Sequence, residues 1–335
     1  MTIKISGFLL PVLIAASCAS TGKITELPAW ANDVEAVYPN ARYIAQMGRG
    51  PDLQSAENDG VGRISQYITS QINSSSFSMQ SITRVNGENE SESRSKSEIF
   101  VHSQTDLFAL RYAPDHWYNK ALKQWQTVAY IDRSEAWAIY EPQVRQETDA
   151  LMAAVERAER EPDPIRQYLL FSVIPANYMK AMDTLNFGVM LNPAKESAYA
   201  PIRTAYKNCK NRADEARTRA KIVITCENDY NNIVSTALSQ VLSTKGFVVV
   251  QHAAGATNTC AAQVILDAPG KSGDIVTFRP TVDVELAGTG GTVFSFSRGV
   301  RGTDYSEQGA RRTAYTNIAK EIHASFFTEF LKQRG

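Results

Sequence analysis

Cys18 is the residue best placed for covalent chemistry. It stands directly behind Met1 to Ser17, MTIKISGFLLPVLIAAS, where the lone cation Lys4 precedes an apolar stretch from Gly7 to Ala16 and small residues close the segment. That order is the order of a secretory signal. A thiol at its end would stand at a membrane face, where it can accept a lipid as a thioether. Ala19, Ser20, Thr21 and Gly22 follow and read as a tether, since such residues favour turns over a buried strand.

Other chemistry is poorly supplied. The four histidines, His102, His116, His252 and His323, lie far apart, with no HExxH pair, so no metal site is expected. Beyond Cys18, the thiols Cys209, Cys226 and Cys260 show no CxxC spacing. In an oxidising compartment they can form one disulfide with one thiol left over, in any of three pairings. No GxSxG elbow marks a nucleophilic serine. Gly48-Arg49-Gly50 invites a phosphate, yet Leu53 stands where the dinucleotide fingerprint needs a third glycine, and Asp52 would meet the phosphate with like charge. A tight turn between strand and helix is expected there instead, and neither a catalytic residue nor a cofactor is expected anywhere.

The best interaction candidate is a patch of aromatic and cationic residues. Tyr112, His116, Trp117, Tyr118, Lys120, Lys123 and Trp125 gather at what should be the tip of a strand pair, where they could stack on cell-wall sugars or dock a protein. Nucleic acid is an unpromising partner: the chain of 335 residues balances 35 Lys and Arg against 35 Asp and Glu. No run of about 18 apolar residues occurs, so no spanning helix is expected.

The elements that must position these residues fall into three regimes. Pro28 to Tyr38 reads as a short helix, Arg42 to Met47 as a strand, and residues 51–73 as an amphipathic helix with Val61, Ile64, Ile68 and Ile72 on one face. A period of two then predicts strands at 77–85, 97–112 and 124–131, with Asn86-Gly87 as a hairpin signal and a solvated serine-rich segment over 88–98. From Ser134 to about residue 218 the period is helical, with breaks expected at Pro142, Pro162 and Pro164.

The third regime predicts strands at 221–225, 247–251 and 262–266 and a helix at 229–244, with Gly246 as its left-handed cap. Alternation from Val276 to Leu286, a turn at 288–291 and a return over 292–298 predict a hairpin with one covered and one wet face. Residues 306–333 form a long helix whose stripe is Ala310, Ala314, Ile318, Ile322, Phe326 and Phe330. This helix is expected to cover the 276–298 hairpin; the competing reading is a strand pair contributed to a membrane barrel built from many subunits.

Two resemblances sharpen this picture. Ala15, Ala16 and Ser17 before Cys18 are similar to the lipobox of bacterial lipoproteins, in which the thiol is acylated and becomes the first residue of the mature chain. The likeness implies a palmitate-type lipid anchor; each buried methylene contributes about 0.8 kcal/mol, so two or three acyl chains hold a soluble domain at a bilayer. In such lipoproteins an aspartate after the cysteine favours retention inside, and Ala19 stands here, which implies the periplasmic leaflet of the outer membrane.

Pro28-Ala29-Trp30, Tyr38-Pro39, the run Arg42 to Gly50, Ala56, Ile64 to Tyr67, Trp125, Val128 to Arg133 and Glu135-Ala136 resemble the Lpp-twenty outer-membrane lipoprotein family over residues 28 to about 140. Residues 219–333 are similar in element order to the small α+β domain of the Tol translocation protein, the curli-secretion lipoprotein and a flagellar ring-associated protein. These likenesses imply envelope assembly or scaffolding and carry over no catalytic residue.

The expected architecture is α+β. Signal peptide 1–17 and lipidated tether 18–27 precede an α+β domain 28–133, a helical connector 134–218 and a second α+β domain 219–335 of β-α-β-β-β(-β)-α order. The expected function is a non-enzymatic, lipid-anchored component of the cell envelope that meets envelope proteins or itself. The alternative is a periplasm-facing binding module for peptidoglycan, lipid or a small ligand.

Overall fold

The computed structural model describes residues 27–83 and 110–332, with side chains up to residue 72 in the first stretch. Cys18 and its tether up to Glu26, the Asn86-Gly87 signal, the 88–98 segment, His102 and strand positions 84–109 lie outside the described residues. The chain divides into two compact units, Met1–Gln66 with Ala109–Asp132 and Tyr67–Phe108 with Arg133–Gly335.

In the first unit, helices α1 (Ala29–Asn32) and α2 (Val34–Val37) lead into strand β1 (Tyr43–Gly50) and helix α3 (Leu53–Thr83), whose last residues pass into the second unit. Strands β2 (Arg111–Tyr112), β3 (Trp117–Asn119) and β4 (Gln124–Asp132) complete an antiparallel sheet in which β4 lies between β1 and the two short strands. Trp30 and Tyr38 are buried with Ala113 and Val128 on one face. On the other face, Ala56, Gly60 and Ile64 of α3 form a buried four-residue repeat. Asp33 caps α2 through the amides of Glu35 and Ala36, and Asp52 holds the first turn of α3 through the amide of Ser55 at 2.7 Å.

Two expectations fail here. The pair Gly48 and Gly50 is not a turn but the end of β1, registered against Thr127 and Trp125. A Cβ at Gly48 would lie 1.9 Å from the Ala56 carbonyl oxygen and 2.4 Å from the Gly60 nitrogen, so the glycine permits backbone-to-backbone contact of strand and helix. The strand expected at 77–85 is helical as far as Thr83. No Gly or Pro lies between Gly62 and Gly87, and each further helical residue adds a hydrogen bond without a new nucleation cost.

The second unit opens with α4 (Arg133–Arg160), α5 (Pro164–Asn177), α6 (Met179–Leu191) and α7 (Glu196–Arg219). The helix does not break at Pro142: one rung is lost, while Tyr140, Val144, Thr148, Leu151 and Val155 keep one face buried on both sides of it. Beyond these helices, β5 (Lys221–Glu227), α8 (Ile233–Thr244), β6 (Val248–Val250), β7 (Asn258–Ile265), β8 (Gly270–Ser272), β9 (Ile275–Phe278), β10 (Thr281–Gly288), β11 (Gly291–Gly299) and β12 (Gly302–Asp304) follow. The chain then enters α9 (Glu307–Glu321), a π-type turn over Ile322–Phe326, and α10 (Phe327–Lys332).

The main sheet runs β11-β10-β7-β5-β6, with β5 parallel to β6 and β7. Val276 and Phe278 do not belong to it. They lie in a second sheet, β12-β9-β8, and pack on Ala310 and Ala314. Pro280 has no amide to donate to a ladder, so the alternating run is cut into two strands between Phe278 and Thr281.

The terminal helix covers the main sheet: Ile318, Ile322, Phe326 and Phe330 share one core with Val282, Val284, Leu286, Phe294 and Phe296. Its stripe repeats every fourth residue, and an ideal helix of 3.6 residues per turn would rotate such a stripe by about 40° per step. The wider π turn takes up the excess and keeps Phe326 and Phe330 against Phe294, with ring centroids at 5.2 and 5.4 Å.

Candidate interaction surface

The aromatic and cationic residues singled out by sequence sit on the β3–β4 hairpin and its surroundings, but the sheet divides them. Tyr118 faces Trp125 across the hairpin, with ring centroids 5.6 Å apart. His116 reaches the buried Thr127 hydroxyl at 3.3 Å on that same side. Tyr112 is registered against Ala129, also on the side of α3, where burial and the Glu57 carboxylate push its hydroxyl above the ordinary value. Trp117 points the other way and packs against the core that holds Trp30 and Val128. The pairing thus explains the aromatics partly as sheet packing.

Lys120, Ala121, Leu122 and Lys123 form the exposed tip of this hairpin. The Asn119 carboxamide oxygen accepts from the amides of Ala121 and Leu122, each at 3.1 Å, and fixes the turn from inside. Lys123 adopts φ +49°, a left-handed conformation that closes the loop before Gln124. Leu122 is 58% exposed between the two lysines. Periodicity does not single out Leu122; its only mark in the sequence is an apolar residue enclosed by cations in a short hairpin turn, where there is no core to enter.

The second unit offers an open sheet face. Along β7 burial alternates strictly, with Asn258, Cys260, Ala262 and Val264 buried and Thr259, Ala261, Gln263 and Ile265 exposed. Thr225, Glu227, Glu285, Ser295 and Ser297 continue the exposed side, joined by the half-buried Asp283. Ser297 donates to Asp283 at 2.6 Å, Gln263 donates to Glu227 at 3.3 Å, and the Thr292 hydroxyl donates to Glu285. This is a polar, hydrogen-bonded surface spread over several strands. On α4, Ala153, Glu156, Arg157 and Arg160, with Glu161 and Pro162, line an open depression of about 430 Å³.

The three thiols of the second unit sit where burial disfavours their thiolate forms. Cys209, Cys226 and Cys260 are all free. Burial, assisted for Cys226 by the Asp229 carboxylate, pushes Cys209 up to about 11 and Cys226 and Cys260 up to about 12. Cys226 and Cys260 stand on the neighbouring strands β5 and β7 but are offset by two residues in register, the diagonal relationship of about 7–8 Å that a disulfide spans poorly. Among the described residues, no group of three or more His, Cys, Asp or Glu could hold a metal ion, and no helix is long and apolar enough to cross a membrane.

No family model matches the chain, and no curated protein matches it at a significant level. Among solved structures, a secreted protein of the human pathogen Helicobacter pylori is similar at 13% identity and a TM-score of 0.35, covering 87% of this chain and 97% of that one. A minor lipoprotein from Acinetobacter baumannii is similar at 13% identity and a TM-score of 0.25, over 33% of this chain and 94% of that one. Both scores lie below one half, so neither likeness carries a functional assignment.

Proposed function

We propose that this chain is a lipid-anchored protein of a bacterial outer membrane, held by an acylated Cys18 in the periplasmic leaflet, and that its folded part is a structural or assembly component of the envelope. The observation that carries the reading is how closely the fold follows the anchor. Residues 19–27 span at most about 32 Å when extended, and Trp30, just beyond them, is already locked in the core of the first unit. A short tether of that kind holds a folded unit beside a bilayer without any spanning helix.

Partner contact fits the open polar face of the main sheet, where hydroxyl, carboxamide and carboxylate groups are presented in register. Envelope proteins or a second copy are the partners proposed, and catalysis is not. The Lpp-twenty likeness belongs to this proposal: of the residues that carry it, Trp30, Tyr38, Ile44, Gly48, Ala56, Ile64, Val128, Ala129, Ile131 and Asp132 are among those that build the first unit.

Metabolic labelling with a tagged fatty acid, in cells making the parent chain or Cys18→Ala, tests the anchor. Label on the parent alone, together with loss of membrane retention in the variant, supports it. An unlabelled parent found free in solution defeats it. Crosslinking in cells, set against retention on isolated peptidoglycan sacculi, separates scaffolding from the binding-module alternative.

A further inference from the structure

We propose that the β3–β4 hairpin tip is a second membrane contact, which lays Leu122 into the interface of a bilayer carrying anionic lipid. The inference rests on the anchored reading above and adds a site to it. Leu122 is 58% exposed at the apex of a turn with no core to enter. Lys120 and Lys123 flank it, and no acidic residue occurs from Trp117 through Trp125. Tyr118 and Trp125 pack together directly behind the tip, with their rings tilted by 60°, and are half-buried. An apolar apex, cations beside it and aromatic rings one step behind match the order in which acyl chains, anionic headgroups and the interfacial zone are met by an entering segment.

Two further observations favour a bilayer as the occupant. Residues 19–27 keep the first unit within about 32 Å of the lipid to which Cys18 would be joined. The tip belongs to that same unit, where Trp117 of β3 shares a core with Trp30 just beyond the tether. The turn is also held open: Asn119 bonds the amides of Ala121 and Leu122, and Lys123 keeps a left-handed backbone that glycine would adopt at less cost. A preformed turn loses little conformational freedom when it docks.

The test uses the full chain carrying Cys18→Ala, so that no acyl group contributes, and Cys226→Ser, so that no half-exposed thiol competes for label. An environment-sensitive fluorophore is attached at Leu122→Cys or, as control, at Tyr305→Cys, which replaces a residue 82% exposed in the second unit. The apolar stretch behind Lys4 remains in both chains, so the difference between the two probes is what is read. With vesicles of phosphatidylcholine containing about one-third phosphatidylglycerol, the residue-122 probe should shift to the blue and brighten about twofold or more, an effect weakened by salt. The residue-305 probe should stay as it is in water, and Lys120→Glu with Lys123→Glu should abolish the response at 122. A residue-122 probe that remains water-like, or moves no further than the one at 305, overturns the proposal. Circular dichroism of each labelled chain checks that the fold persists. Because residue 18 carries no lipid here, failure of this contact and failure of Cys18 acylation are separate results.

Discussion

Asp163 and Asn258 meet inside the second unit although 95 positions separate them, with the Asn258 carboxamide donating to one Asp163 carboxylate oxygen at 2.9 Å. The other oxygen of Asp163 caps α5 by accepting from the amides of Ile165 and Arg166, at 2.9 and 3.0 Å. Both side chains are buried, at 0% and 2% exposure. A single carboxylate therefore starts a helix and fastens it to the first residue of β7. Asp163→Ala should cost about 2–4 kcal/mol, the sum of a lost cap and a stranded Asn258 amide. Urea unfolding of the full chain measures it, and a double-mutant cycle with Asn258→Ala should show strong coupling.

Gly288 leaves the space that Asp163 occupies. A Cβ there would fall 1.5 Å from the Asp163 carboxylate oxygen and 2.6 Å from the Asn258 amide nitrogen. Gly288→Ala should destabilise the second unit by about 3 kcal/mol in the parent chain and by clearly less once Asp163 is alanine. Equal penalties in both backgrounds would show that the glycine serves something other than this contact.

In the first unit, Gly48→Ala should be among the most damaging changes of one methyl group. Its Cβ meets carbonyl and amide atoms of α3, which cannot move aside as the end of a flexible side chain could. A loss of about 3 kcal/mol or more, with Tyr118 and Trp125 fluorescence changing at lower denaturant, is the expected outcome. Gly62→Ala on the same helix, with nothing within 4 Å, should be tolerated.

The thiols set an alkaline limit. The folded state holds Cys226 and Cys260 protonated up to about 12 and Cys209 up to about 11, against an ordinary value of 9.0. Between those values the folded chain binds more protons than the unfolded one, so stability is intact below pH 9 and declines as the pH rises beyond it. Melting temperatures measured from pH 7 to 11 should fall at the upper end. Near pH 8, iodoacetamide should alkylate the native thiols slowly and the denatured ones quickly.

Much of the fold was legible from periodicity. The stripe Ala310, Ala314, Ile318, Ile322, Phe326 and Phe330 is buried throughout, as are Ala237, Leu238, Val241 and Leu242 of α8, whereas Ile233, which the same spacing places on that stripe, is only half-buried beside the buried Val234. Gly246 takes φ +84° at the end of α8 as its position implied. Less of the candidate surface was readable. The aromatic patch was found as a cluster of residue types, yet pairing sends Trp117 to one face of the sheet and Tyr118 with Trp125 to the other. Leu122 was missed because exposure at a turn apex leaves no period behind it.

What the sequence by itself determined is local: which segments alternate by two or by four, where a thiol follows a secretory pattern, and where opposite charges balance. Those properties depend on neighbours a few residues apart, so they survive without the fold. Only the tertiary structure decided that Gly48 admits the backbone of α3, that Pro280 sends Val276 and Phe278 into a separate sheet, and that Asp163 serves both α5 and Asn258. The reason is distance along the chain. Close approach of two backbones, or a carboxylate shared across 95 positions, arises from packing of remote segments, and packing leaves no periodic mark on either segment alone.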